Sequence, residues 1–112
     1  MKIKLAKKEV IHFIGIGGIG MSGLSLIMKG QGFKVQGSDL TINKNLDRLK
    51  KEKIKFFLGH SKKNLEKATI VVISSAIKNS NPELIEAKRK KIPIIKRGKM
   101  LASIVSLMKN IV

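Results

Sequence analysis

Apolar residues along this chain fall into two kinds of run that take turns. Short unbroken runs, often β-branched, predict buried strands. Longer stretches with apolar positions three or four apart predict amphipathic helices. Val10–Ile14 reads as a first strand, and residues 20–30 as a helix with Leu24, Ile27 and Met28 on one face. Residues 33–37 read as a second strand, weakened by Gln36 and Gly37, and residues 43–52 as a helix with Leu46 and Leu49 inward. Lys55–Leu58 is a short third strand, residues 64–67 a helical turn or loop, and residues 70–74 ("IVVIS") the clearest buried strand. Asn81-Pro82-Glu83 opens a helix running to about Lys91. A polar cap suits the missing N–H of a proline at the first helical position. Residues 92–96 ("IPIIK") give a fifth strand, and residues 98–109 a last helix with Leu101, Ile104, Val105 and Met108 on one face.

Strands alternating with helices over short links predict a parallel sheet with right-handed crossovers. The expected fold is α/β, a Rossmann-like doubly wound five-stranded sheet with helices on both faces, forming one domain over residues 1–112. In such a sheet the carboxyl ends of the strands share an edge, and ligands bind there where strand order reverses. Following the strands in order, that edge receives a glycine loop, Ser38-Asp39, Gly59-His60-Ser61, Ser74-Ser75 and Arg97.

The glycine loop carries the most specific chemistry. Gly15, Gly17 and Gly20 form G-x-G-x-x-G, with Gly18 adding a fourth glycine. The first permits a tight turn, the second lets a phosphate approach the backbone, and the third lets helix and strand pack closely. The helix start behind the loop offers unpaired N–H groups and a partial positive charge. Asp39 follows Gly20 by 19 residues. It is placed to accept from a ribose or a nearby amide, or else to cap the loop before Asn43. From residues alone the loop binds a nucleotide diphosphate compound. No G-x-x-x-x-G-K-[ST] pattern for ATP occurs in the chain.

Composition narrows the partners. At 112 residues and 43% hydrophobic content the chain can build a core. There is no cysteine. His12 and His60 lack ligand-like spacing, so neither a metal site nor a thiol nucleophile is expected. The formal net charge is +17, which admits a polyanion partner. Yet 21 of the 24 basic residues are lysine, and tryptophan and tyrosine are absent. Nucleic-acid surfaces favour bidentate arginines and stacking aromatics, so no specific nucleic-acid partner is expected. Lys2, Lys4, Lys7 and Lys8 precede the uncharged run 10–28. Its glycines, His12 and serines make a poor membrane segment, and a cytoplasmic location follows.

"HFIGIGGIGMSG", then "GSDL", "GH", "SSAIKNSNPEL" and "IPIIKRGKMLA", resemble the N-terminal domain of the UDP-N-acetylmuramate–L-alanine ligases of the Mur ligase family, over about residues 9–107. The related murein peptide ligases are the nearest alternative, with a different glycine loop expected there. The resemblance implies a UDP-N-acetylmuramate-binding domain of a three-domain enzyme of peptidoglycan synthesis. ATP and Mg2+ would lie in a central domain, and a third domain would help hold L-alanine. The lactyl carboxylate is phosphorylated, and the alanine amine then displaces phosphate.

The resemblance further implies that the backbone of the loop, with Gly15, Gly17, Gly18, Ile19, Gly20, Met21 and Ser22, holds the diphosphate. Ser38 and Asp39 would lie near the uridine, and His60 by the uracil or ribose. Ser74 and Ser75 would meet the diphosphate or sugar, and Arg97 would point a positive charge into the rim. His60 as a capped loop histidine and Arg97 as half of a surface ion pair stay open. No residue of this chain is expected to be catalytic. Two departures matter. Lys99 stands where the family has an acid. The chain also stops at Val112, short of an ATP loop, so the isolated polypeptide is expected not to ligate. An NAD(P)-binding module of a redox or sensor protein is the alternative that the glycine loop and Asp39 allow.

Overall fold

The computed structural model describes residues 5–109. The elements, in order, are β1 (Val10–Ile14), α1 (Ile19–Gly30), β2 (Lys34–Asp39), α2 (Lys44–Lys51), β3 (Lys55–Leu58), a 3-10 turn (Lys62–Leu65), β4 (Ile70–Ile73), α3 (Pro82–Arg89), β5 (Ile94–Lys96) and α4 (Arg97–Lys109). The five strands are parallel in the order β3-β2-β1-β4-β5, which is the doubly wound α/β arrangement the alternation predicts.

Successive side chains of a strand point to opposite faces, and the two faces differ in chemistry. Ile11, Phe13, Val35, Val72 and Ile95 face Met21, Leu24 and Met28 of α1, Leu46 and Leu49 of α2, and Met100 and Ile104 of α4 in one apolar core. Ile14 and Val71 point the other way, to Leu65, Ala68, Leu84 and Ala87 around α3 and the 3-10 turn. That second layer also takes in buried His12, Gln36, Ser38 and Glu83.

Local chemistry sets most boundaries. The Asn43 side chain accepts from the Leu46 N–H at 3.1 Å to start α2, and Asn81 accepts from the Glu83 N–H at 2.9 Å to start α3. Strand β2 runs to Asp39 rather than stopping at Gly37, because Gly37, Ser38 and Asp39 stay paired with Phe56, Phe57 and Leu58. Gly37 sits so close to β1 that an added Cβ would come within 2.6 Å of the Phe13 carbonyl oxygen. Helix α3 ends at Arg89, short of the expected Lys91, whose φ is +59°. Residues 92–93 form the link before β5, and the Ile92 N–H bonds back to Ala87 O at 2.9 Å. The helical turn is 3-10 and lies two residues earlier than expected, because the Ser61 side chain accepts from the Lys63 N–H at 3.3 Å to start it. Two inward assignments change. Ile27 and Val105 are exposed, since α1 and α4 turn other positions, Ser25 and Met100 among them, toward the sheet. The Met108 side chain, like Lys2 and Lys4, lies outside the described residues.

Candidate functional site

Strand order reverses between β1 and β4, so the crevice expected to take a ligand lies at the carboxyl end of β1. There the chain leaves the sheet through Gly15, whose φ of +83° is the left-handed region open to glycine. The Gly15 and Ile16 amides both donate to the Ser38 carbonyl, at 2.8 and 2.9 Å, pinning the loop onto β2.

The amides of residues 17–22 divide into two sets. Three are engaged within the protein. The Gly17 N–H donates to Asp39 Oδ2 at 2.7 Å. The Gly18 N–H donates to Gly15 O at 3.1 Å, and the Ser22 N–H to Gly18 O at 2.8 Å. The amides of Ile19, Gly20 and Met21 form the first turn of α1, where no intrahelical acceptor precedes them, and Gly18 supplies no side-chain cap. The Met21 and Ser22 side chains are buried, and Ser22 Oγ donates to Ile19 O at 3.1 Å, so at these positions only backbone faces the mouth.

Arg97 closes the other side. It is the first residue of α4 and lies against Gly20. A Cβ built on Gly20 would fall 3.0 Å from Arg97 Cδ and Nε and 3.1 Å from Cζ. Among the described residues Arg97 has no carboxylate partner, which leaves the surface ion-pair reading without a partner there. A guanidinium, three uncapped amides and the positive end of a helix therefore share one mouth, an arrangement suited to an anion. Asp39 is held by the Gly17 amide and by its own neighbour, the Leu40 N–H at 2.8 Å. Asn43, not Asp39, caps α2.

Ser38 and His60 point elsewhere, into a buried polar cluster built around Glu83. The Glu83 carboxylate faces four donors. His12 Nε2 lies 2.6 Å and Ser38 Oγ 2.6 Å from Oε1. The Ser61 N–H lies 3.0 Å and Asn64 Nδ2 2.7 Å from Oε2. Burial alone would raise this acid. The hydrogen bonds from His12, Ser38 and Asn64 override it and bring the pKa from 4.5 down to about 2. The first turn of α3, where Glu83 sits, favours the same charge. His60 Nδ1 lies 2.8 Å from Ser38 Oγ. Gln36 Nε2 contacts His12 Nδ1 at 2.8 Å and the Asn64 carbonyl at 2.9 Å.

Ser74 and Ser75 follow β4. Ser74 Oγ accepts from the Ala76 N–H at 3.3 Å, and Ser75 is exposed. Neither makes a side-chain hydrogen bond to the mouth or the buried cluster among the described residues. Sequence reasoning singled out Ser38 and His60 but missed Glu83, Gln36 and Asn64, and read His12 only as an unlikely metal ligand. The signal was present: His12, Gln36 and Ser38 are polar residues at alternate positions of two central strands, with His12 paired to Gln36. Among the described residues no group of three or more His, Cys, Asp or Glu could hold a metal ion. No helix there is long and apolar enough to cross a membrane.

Residues 10–109 match the Mur ligase family, catalytic domain. The UDP-N-acetylmuramate–L-alanine ligase of Pelagibacter ubique is 74% identical over 112 residues, covering 100% of this chain and 24% of its own length. That of Rickettsia felis is 56% identical over 99 residues, 88% of this chain and 21% of its own. The crystal structure of the UDP-N-acetylmuramate–alanine ligase of Thermotoga maritima superposes with a TM-score of 0.78 at 34% identity, over 89% of this chain and 23% of that one. The UDP-N-acetylmuramate:L-alanyl-γ-D-glutamyl-meso-diaminopimelate ligase of Neisseria meningitides gives 0.79 at 28% identity, over 92% of this chain and 31% of that one. The chain thus spans about a quarter of the length of the curated relatives it matches. With 100 consecutive residues under the family match, the chain belongs to the Mur ligase family.

Proposed function

We propose that this chain is the UDP-N-acetylmuramate-binding part of a cytoplasmic ligase that joins L-alanine to that nucleotide sugar in peptidoglycan synthesis. The observation that carries the reading is the mouth of α1, where the Arg97 guanidinium lies over Gly20 beside the uncapped amides of Ile19, Gly20 and Met21. Two adjacent phosphates match that pairing of one guanidinium with a helix start. The names of the relatives above, UDP-N-acetylmuramate–L-alanine ligases, support this choice of sugar nucleotide and amino acid. ATP, Mg2+ and alanine fall to parts of the enzyme outside this chain. No step of the transfer is assigned to the residues of this chain. The dinucleotide alternative gains nothing from the relatives named above, which are ligases.

Calorimetric titration of the chain with UDP-N-acetylmuramate, UMP and NADH tests the reading. Saturable binding of the nucleotide sugar is expected, weakened about tenfold by Arg97→Ala through loss of a charge-assisted contact. Saturable NADH binding with no response to the uridine compounds would overturn it.

A further inference from the structure

The buried cluster fixes its own protons, and the consequence reaches the rim. The Asn64 carbonyl can only accept, so the Gln36 group facing it at 2.9 Å is the amide NH2. The second hydrogen of that NH2 points at His12 Nδ1, 2.8 Å away, which must therefore be bare. A neutral His12 then carries its hydrogen on Nε2 and donates to Glu83 Oε1 at 2.6 Å. Glu83 Oε2 already accepts from the Ser61 N–H and from Asn64 Nδ2, whose amide also donates to Gly59 O at 3.1 Å. With acceptor duty on both oxygens, the carboxylate takes the Ser38 hydroxyl hydrogen as well. Ser38 Oγ has then spent its only hydrogen and meets His60 Nδ1 at 2.8 Å as an acceptor. His60 must donate from Nδ1. Among the described residues no buried side-chain nitrogen or oxygen lacks a partner, and the His60 side chain keeps 11% exposure. Its Nε2, which has no partner there, faces solvent.

We infer that Glu83 and Ser38 are positioning residues that lock His60 as its Nδ1–H tautomer, so that the rim presents a bare Nε2 that accepts a hydrogen bond from the ligand. The tautomer lock stands on geometry alone. Its role in specificity rests on the uridine-nucleotide reading above. β3 lies two strands from β1, about 10 Å across the sheet, so His60 stands roughly one nucleotide's length from the α1 mouth. An acceptor there matches the imide N–H of a uracil-type base. It opposes a cytosine-type base, whose corresponding ring nitrogen is itself an acceptor, leaving two lone pairs facing each other.

The chain has two histidines, which makes the spectroscopy direct. Long-range 1H–15N correlation of the 15N-labelled chain, recorded at about pH 9 so that ordinary histidines are neutral, reports each tautomer. Opposite patterns are expected: His12 protonated on Nε2, His60 on Nδ1. In Ser38→Ala, where only Glu83 Oε2 at 3.6 Å still faces His60 Nδ1, His60 gains Nε2–H population while His12 keeps its own pattern. Calorimetry with UDP and CDP should show UDP favoured at least tenfold by the wild-type chain and that ratio falling several-fold in Ser38→Ala. A wild-type His60 carrying its proton on Nε2 overturns the lock. The expected tautomers with equal UDP and CDP affinity overturn the specificity role. If the tautomers are as inferred and neither nucleotide binds, the lock is upheld and the uridine-nucleotide reading is what fails.

Discussion

Acidifying the protein should unfold it partly through one residue, Glu83. Its carboxyl lies at about 2 instead of 4.5, so the folded state binds this proton more weakly than the unfolded chain does. A depressed acid contributes stability that is fully present above the unfolded value and disappears as pH falls toward the folded one. A shift of that size corresponds to about 3 kcal/mol. Solvent reaching the cluster at His60, whose side chain is 11% exposed, trims this to about 2 kcal/mol. Glu83→Gln isolates the contribution. At neutral pH the amide cannot accept from all four donors, and the unsatisfied groups cost about 3 kcal/mol. The variant has no carboxyl to protonate. The stability gap between wild type and Glu83→Gln, measured from urea midpoints and slopes, should therefore narrow by about 2 kcal/mol between about pH 6 and pH 2.5. The surface acids common to both proteins cancel in that difference. A gap that stays constant over this range would show that Glu83 is not a buried carboxylate held by its donors, and the proton assignments built on it would fall too.

Gly20→Ala should leave the fold intact, because the new methyl meets only the flexible Arg97 side chain at 3.0 Å. It should weaken UDP-N-acetylmuramate binding about tenfold, by displacing the guanidinium from the α1 mouth; unchanged affinity in calorimetry would remove Arg97 from the site. Gly37→Ala should destabilise by roughly 3 kcal/mol in urea unfolding, since its Cβ would sit 2.6 Å from both the Phe13 carbonyl oxygen and Ile16 Cβ. A cost under about 1 kcal/mol would mean that β1 and β2 can part more easily than their packing suggests. Lys53→Gly should stabilise by about 1 kcal/mol and raise Tm by roughly 4 °C, because Lys53 follows α2 at a φ of +61° that glycine adopts without strain. A lower Tm would contradict it.

The sequence made the sheet legible because its strands are short apolar runs and its helices carry spaced apolar faces. The helix starts at Asn43 and Asn81 were legible for a local reason: each cap bonds to an amide two or three residues away. The glycine loop could be placed between strand and helix. How its amides divide could not, because Gly17 is occupied by Asp39, 22 residues on. Glu83 was illegible on the same grounds. Its partners His12, Ser38, Ser61 and Asn64 are 71, 45, 22 and 19 residues away, and only the folded sheet brings them together. Its position in the sequence marks only the start of a helix; in the fold it is fully buried.

Ser38 joins the two halves of this edge, and it does so with two different atoms. Its carbonyl receives the Gly15 and Ile16 amides and so fixes the turn that leads into the α1 mouth. Its hydroxyl bridges Glu83 and His60. The phosphate-facing loop is therefore held by backbone, which a side-chain change at Ser38 leaves in place, whereas the side-chain hydrogen bond at His60 Nδ1 is made with the hydroxyl, with Glu83 Oε2 farther off at 3.6 Å. Gly37, one residue earlier, shares the strand that carries both, and forcing β2 away from Phe13 disturbs carbonyl and hydroxyl together. Loss of the hydroxyl should thus separate recognition of the base from retention of the phosphates, while a shift of the strand should damage both at once.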